Sequence, residues 1–538
     1  MSLVSLLLAL LPIAIIICML LVWKKPADIS GIVGWLAVSI IAILFFKTTL
    51  EVVARSTVAG LIKSFSVSLI VATSLLQMAY MEKTGALKRI IIFIKTISCE
   101  NKAVQIMMIN IGFGTLMVAV GATPVSLLPP ILVAMGYSTY VAIALPSIGY
   151  DSLCTYALLG APIVVFVDIA NRFLGAGNSI TLSQAGSIFA YFLPVVSTTI
   201  GLCMLWIVDK WKGIQKGWLP CLISGLVIAV VSYFTNKFDN LVVLTGVLCG
   251  IAVIIAMVIY LLVTGKKVID RSTLTEEEIE YEKKYPLWKA LMPWILLIAA
   301  ILALNLPKDI FNLLYTKLKF PIMGISADGK GIDTRALWNA YTWIFISTIL
   351  SIPFLRPTKS QLMDTLKVWC KRAPRPVFSA AIFFAIGEVM NMSGYSMLSN
   401  IDKNAPAFLT PSMIKVLADY SALAFHQTYG YIVSFIGLFG GFITGSEAST
   451  IAMFAQYTMT TAKNLNLGLN GIIIITAGLA FGSGLASVIS PAKLQNAAAS
   501  IDKLGEENKV IPVAFIFSII LCLITSTFVV FLLKFVLL

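Results

Sequence analysis

The stretches Gly112-Phe-Gly-Thr-Leu-Met-Val-Ala-Val-Gly-Ala-Thr-Pro124 and Gly437-Leu-Phe-Gly-Gly-Phe-Ile-Thr-Gly-Ser-Glu447 decide how this chain folds. Each is an apolar, glycine-rich run that ends in residues suited to start a new helix. Thr123-Pro124 pairs a side chain that can accept from the next turn with a residue whose missing N–H would be orphaned at a helix start anyway. Gly445 suits a left-handed turn and Ser446 a cap, with Ser449 and Thr450 close behind. Further along lie second breaks, Gly160-Ala-Pro162 and Ser490-Pro491. A helix interrupted inside lipid leaves backbone groups unpaired, which only a water-filled cavity, a ligand or surrounding protein can satisfy. The turns therefore predict the lining of a binding site.

The solvent is lipid because the composition allows no other. Of 538 residues, 59% are hydrophobic and 12% charged, against roughly 25% charged in soluble domains. Apolar runs of membrane length cover 4–23, 29–46, 65–80, 186–208, 218–234, 241–264, 287–304, 336–355 and 511–533. They lack the alternation of barrel strands and suit helices. The fold class is an all-α polytopic membrane protein of about 12–14 membrane segments, with two inverted repeats, broken helices and re-entrant hairpins. A net charge of +14 implies no nucleic-acid partner here, because the Lys and Arg residues fall in short loops where they set topology. Cys18, Cys99, Cys154, Cys203, Cys221, Cys249, Cys370 and Cys522 are scattered and read as reduced packing residues. The first apolar run has no basic n-region and is followed by Lys24 and Lys25, so it reads as a retained span.

Loop charge gives the orientation. Lys24 and Lys25, the cluster from Lys83 to Lys102, Lys210 to Lys216, the segment 265–289 and the cluster from Arg356 to Arg375 all fall on one side, the cytoplasm, with the N-terminus outside. The stretch 307–335, with Lys308, Lys317, Lys319, Lys330 and Arg335, is basic yet falls outside. Thr275 followed by Glu278 is a capping-box spacing, which predicts a short surface helix over 276–284 that serves as a connector.

The two halves share an order. Phe45-Phe-Lys-Thr48 corresponds to Phe354-Leu-Arg-Pro-Thr358, and a short span from Phe65 to Gly85 corresponds to one from Phe378 to Gly394. The glycine-rich runs and the second breaks then follow in each half. By the charge count the first half enters its glycine-rich run from the cytoplasm and the second from outside, which makes the repeats inverted and puts the site at their interface. The organisation is an N-terminal span (1–28), a first repeat (29–170), linking spans (171–335), a second repeat (336–505) and a C-terminal span (506–538). Convergent helix N-termini present free N–H groups and partial positive charge, which suits a carboxylate leaving its water. Candidate substrate-binding residues are Gly121, Ala122, Thr123, Asn391, Ser393, Gly445, Ser446, Ser449, Ser490 and Lys493. Charged residues within apolar segments are rare and costly. Those here are Asp151, Asp168, Glu388, Glu447 and Lys493, and candidates for proton coupling are Glu447, Asp151 and the single histidine, His426.

Gly441-Phe-Ile-Thr-Gly-Ser-Glu-Ala-Ser-Thr450, Ile489-Ser-Pro491 and Asp209-Lys-Trp-Lys-Gly-Ile214 resemble the L-lactate permease family of proton-coupled symporters. Lys83-Thr-Gly85, Leu132-Val-Ala-Met-Gly-Tyr137 and Asn391-Met-Ser-Gly394 extend the likeness over nearly the whole chain. The resemblance implies import of lactate, and commonly glycolate, with protons across the cell membrane. The family motif T-G-S-D-x-S falls on Thr444, Gly445, Ser446, Glu447 and Ser449, with glutamate for aspartate. Where the family usually has a first-half glutamate this chain has Leu116, and where it has a lysine shortly before Ile-Ser-Pro this chain has Ser487, with Lys493 just beyond. The expected partners are a small carboxylate anion, protons and the bilayer, with a homodimer possible; no cofactor or metal is expected, the proton being the coupling ion.

Plainer readings stand beside these. Gly112, Gly114, Gly121, Gly437, Gly440 and Gly441 also suit close helix packing. Glu447 suits a buried cap, His426 a surface position, Asn391 and Ser393 a span end, Arg375 a topology signal, and Asp151 and Thr155 either packing or the site. An anion channel, or a carrier for another small organic anion, fits the same repeats. The chain has no H-E-x-x-H, metal-ligand cluster or G-x-S-x-G turn, so an enzyme is not the expectation.

Overall fold

Long apolar runs leave lipid-exposed backbone no partner but itself, so they coil into helices. The computed structural model describes residues 3–97, 101–149, 152–175, 178–272, 274–402 and 404–535, which are nearly all helical. Among the described residues nine helices are long and apolar enough to cross a membrane, and eleven if two bent pairs each count as one span. The helix Leu182–Thr235 has 54 residues, about 80 Å at 1.5 Å per residue, far more than a hydrocarbon core of roughly 30 Å. Non-helical backbone at Asp209 (φ −145°) and Lys210 (φ 50°) divides it into the two crossings the sequence implies.

The bent pairs fall elsewhere than the glycine-rich turns. Met292–Asn305 turns by 89° into Lys308–Lys317, and Lys359–Arg372 by 40° into Pro374–Met392. The basic stretch after the first bend is built structure, with a two-stranded antiparallel ladder pairing Pro321 with Asp333 and Ile322 with Ile332. The predicted connector helix is Glu276–Lys284, with both bonds of its Thr275/Glu278 capping box formed. Lys95 to Glu278 at 2.5 Å and Arg89 to Glu282 at 2.9 Å clamp it onto the helix Ala86–Lys95.

Both glycine-rich stretches form helical hairpins. The first runs through Lys102–Ala119, a turn, and Pro124–Ala134. Its arms are joined at the open end by Tyr137 Oη donating to Gln105 Oε1 at 2.8 Å. The second is Tyr429–Thr444 followed by Glu447–Asn464, with Tyr429 and Tyr457 facing each other at 6.3 Å between ring centroids. Both tips turn on glycine in the left-handed region, Gly121 at φ 88° and Gly445 at φ 70°.

The other glycines divide between the two readings. A Cβ on Gly437 would lie 2.1 Å from the Leu479 carbonyl oxygen, and one on Gly441 2.2 Å from that of Ser483. These two let Tyr429–Thr444 lie backbone to backbone on Gly468–Leu485, which is packing rather than turning. Gly440 sits against Thr450 and Phe454, and Gly112 against Ile254, while Gly114 meets nothing closer than 3.6 Å. Leu116 packs on Gly250.

An aromatic chain ties the halves together. Phe166 and Phe189 lie 5.5 Å apart, Phe189 and Phe481 6.0 Å, Phe192 and Phe481 4.9 Å, and Phe192 and Phe528 5.1 Å. Among the described residues no cysteine is in a disulfide, and Cys99 lies outside them.

Candidate functional site

The second hairpin tip is built by its own hydroxyls. Gly445 ends Tyr429–Thr444 with its N–H bonded to the Gly441 carbonyl, and Ser446 opens Glu447–Asn464 by accepting from the Ser449 N–H at 3.4 Å. Thr444 Oγ1 accepts from the Ser446 N–H at 3.2 Å and lies 2.9 Å from Thr450 Oγ1. Gly445 is exposed and Ser446 half-buried, so the tip faces open space. Ser449 is buried, and its hydroxyl has no partner among the described residues.

Glu447, in the first turn, is only 4% exposed. Its Oε1 accepts from Thr155 Oγ1 at 2.7 Å. Thr155 belongs to the 3-10 turn Cys154–Tyr156, after which Leu158, Leu159 and Gly160 adopt left-handed backbone (φ 51°, 54° and 74°) before the helix resumes through Pro162. The break read at Gly160-Ala-Pro162 therefore begins two residues earlier. The two halves' interruptions meet at this contact. Gly484 closes over it, since a Cβ there would lie 3.0 Å from Glu447 Oε2 and 3.2 Å from Cys154 Cβ.

The first tip lies near the same break. Thr123 takes the N-cap position (φ −106°, ψ 100°) and Pro124 the first helical one. A Cβ on Gly121 would lie 2.9 Å from Ser74 Cβ and 3.4 Å from Leu158 Cδ2. Ala122 is buried and Thr123 half-buried. Ser490 and Pro491 repeat the arrangement at the start of Pro491–Ala499, which packs between Pro124–Ala134 and Thr139–Gly149 and carries half-buried Lys493. So Thr155, Glu447 and Gly484 come together, Gly121 joins them through Leu158, and the Ser490 break sits on the first hairpin.

Three candidates, Ser393, His426 and Asn391, fall elsewhere. Ser393 is fully buried, its hydroxyl committed to the Met390 carbonyl and the Met413 N–H at 2.8 Å each, which is the span-end role. His426 is exposed in the turn His426–Thr428, at the open end of the second hairpin. The 16-residue helix Tyr429–Thr444 separates it from the tip, a length of about 24 Å, so the structure does not bring it to Glu447. Asp151 lies outside the described residues.

Asn391 lines a different feature, a cavity of about 600 Å³. This vestibule is walled by the helices that start at the Thr155 and Glu447 breaks, through Val164, Asp168 and Gln456, and roofed by the basic stretch 319–335. Most of its charges are paired. Arg335 Nη1 bonds both Asp168 oxygens at 2.9 and 2.8 Å, Arg172 Nη2 meets Asp328 and Ser326 at 2.5 Å each, and Lys63 lies 2.6 Å from Glu388. A smaller void shares Ser66, Val164, Trp338 and Asn339 with the vestibule and reaches Leu158 and Leu159. Sequence reasoning missed Lys63, Arg172, Arg335 and Gln456. The available signal was the basic stretch 307–335, the one cluster that the loop-charge count did not accommodate. Among the described residues no group of His, Cys, Asp and Glu could hold a metal ion.

Membrane-length helices, interrupted where two halves meet and opening into a charged vestibule, define a polytopic membrane transporter. The family model described as L-lactate permease matches residues 5–537. The chain belongs to that family. It is 22% identical to the glycolate permease GlcA of Escherichia coli K12 over 94% of this chain and 91% of that one. It is 23% identical to the L-lactate permease of Bacillus subtilis 168 over 94% and 92%. The YdaH transporter of Alcanivorax borkumensis is a more distant solved structure, with a TM-score of 0.47, 13% identity and coverage of 89% and 88%.

Proposed function

We propose that this chain is a secondary active transporter that brings a small monocarboxylate, lactate or glycolate, across the cell membrane together with protons by alternating access. The observation that carries the reading is the bond between Thr155 and Glu447, which joins the two interrupted helices at one point. With the N-terminus outside, the first hairpin enters from the cytoplasm and the second from outside, as in inverted repeats that share a midplane site. Half-helix starts at Thr123, Ser446 and Ser490 offer N–H groups to the anion. Glu447, the acidic member of the second tip, takes up the proton so that anion and proton cross as a neutral pair. The permeases named above for lactate and glycolate support this substrate class.

The test is uptake of labelled L-lactate, D-lactate, glycolate and longer acids by proteoliposomes, with and without a pH gradient. A carrier saturates, shows counterflow and accumulates substrate only with the gradient. Non-saturating flux without counterflow would instead establish an anion channel.

A further inference from the structure

The vestibule holds an ion pair that the transport reading leaves unused. Lys63 ends the helix Leu50–Lys63, and its Nζ lies 2.6 Å from Glu388 Oε1, with side chains 21% and 9% exposed. Desolvating two charges costs several kcal/mol each in general, and an apolar pair of similar volume serves stability as well or better. Stability therefore does not explain the pair. The arginines nearby are saturated by Asp168, Asp328 and Ser326. Lys63 meets one carboxylate among the described residues, while an ammonium has three donors. Asn391, just under one turn beyond Glu388, is 6% exposed and lines the same cavity, and its Oδ1 has no partner among the described residues. An amide can turn either of its ends to a ligand, so its NH₂ is available to an anion. The cavity wall carries five cationic and four carboxylate side chains, a surplus of one positive charge.

We infer that Lys63 and Asn391 form a capture site for a small monocarboxylate in the vestibule, with Glu388 as the resident anion that the substrate displaces. This deepens the transport reading and rests on it for the class of substrate. The arriving carboxylate takes the donors of Lys63 and the amide of Asn391, and its single charge cancels the surplus that a dicarboxylate would overshoot. Glu388 competes for the same ammonium and keeps the site from holding substrate too long. Gln456 and Ala452, on the same wall, belong to the helix that Glu447 opens, so the captured anion rests on the element that leads to the tip.

The experiment uses the full chain, with binding of labelled L-lactate measured in nanodiscs and uptake in proteoliposomes. Glu388→Gln removes the competitor and should lower the half-saturating concentration about fivefold. The double variant Lys63→Met, Glu388→Gln removes the pair whole, without stranding a charge, and should raise half-saturation about tenfold above that of Glu388→Gln. Asn391→Ala should also raise it. A double variant that binds and transports as the wild type does would overturn the capture site while leaving the transport reading intact. So would a folded Glu388→Gln protein with no gain in affinity. Wild-type protein that binds lactate with the predicted Lys63 dependence but never accumulates it would confirm the site and sink the transport reading. Absence of all lactate binding to the wild type would overturn both.

Discussion

Thr155 and Glu447 are 292 residues apart in the chain, yet the threonine hydroxyl donates to the glutamate carboxylate at 2.7 Å with both side chains buried. Replacing Thr155 with valine keeps the shape and removes the donor. Losing a bond to a buried charged group costs about 1–3 kcal/mol. The expected outcome is a transport-defective protein that still folds, with a melting temperature below wild type. Wild-type uptake by a folded Thr155→Val protein would show that the contact only packs the halves together.

The hairpin tips should set affinity. Ser446→Ala removes the acceptor that caps Glu447–Asn464, and Thr123→Ala removes the hydroxyl at the other tip. Each change should weaken substrate binding by about 1 kcal/mol, roughly a fivefold rise in half-saturating concentration. Both variants should keep the wild-type melting temperature to within a few degrees. If both transport with unchanged affinity, the anion is held elsewhere.

Gly441 of the second hairpin should answer differently from Gly114 of the first. Gly441→Ala puts a methyl group 2.2 Å from the Ser483 carbonyl oxygen, with backbone on both sides of the contact. Overpacking of this kind costs about 1–3 kcal/mol. Gly114→Ala meets nothing within 3.6 Å and gains about 0.5–1 kcal/mol of helix propensity. Thermal melts of the two variants in detergent should therefore shift in opposite directions.

The fold was readable in the sequence because its strongest signals are local. Apolar length gave the spans, the Thr275/Glu278 spacing gave the connector helix, and Gly445-Ser446 gave a left-handed turn followed by a cap. The site was readable only in part, because its partners come from distant segments. Glu447 could be singled out as an acid in a turn, but nothing local pairs it with Thr155. Glu388 could be singled out as an isolated intramembrane charge, but nothing local sets Lys63 2.6 Å from it. His426 was noticed for being unique, and uniqueness says nothing about location.

The vestibule roof should be indifferent to pH over the physiological range. Burial by itself pushes the Asp328 carboxyl up, but the Arg172 guanidinium and the Ser326 and Lys330 hydrogen bonds outweigh it and hold the group below its ordinary value. A carboxylate depressed in the folded state contributes stability above its unfolded value, about 3.9, and loses it as pH falls through the folded value. Asp328→Asn should lower the melting temperature by a constant amount from roughly pH 5 upward, and the difference should shrink below about pH 4. A difference that instead grows on acidification would contradict the pairing with Arg172.

Glu447→Gln separates coupling from binding. Glutamine keeps the size of the side chain and still offers an oxygen to Thr155 Oγ1, so the join between the halves survives. What it lacks is a group that can bind and release a proton at the second tip. If Glu447 carries the coupling proton, the variant resembles the protonated carrier in shape, and only the protonated carrier with its anion need cross. Exchange of internal for external substrate should then persist at a rate comparable to wild type, because exchange requires the carrier to move loaded in both directions. Net uptake driven by a pH gradient requires the proton to leave inside, and it should fail. Counterflow and gradient-driven accumulation, measured in the same proteoliposome preparation, distinguish these two modes. Accumulation that persists in Glu447→Gln would remove Glu447 as the proton carrier and leave Asp151 as the next acid to change.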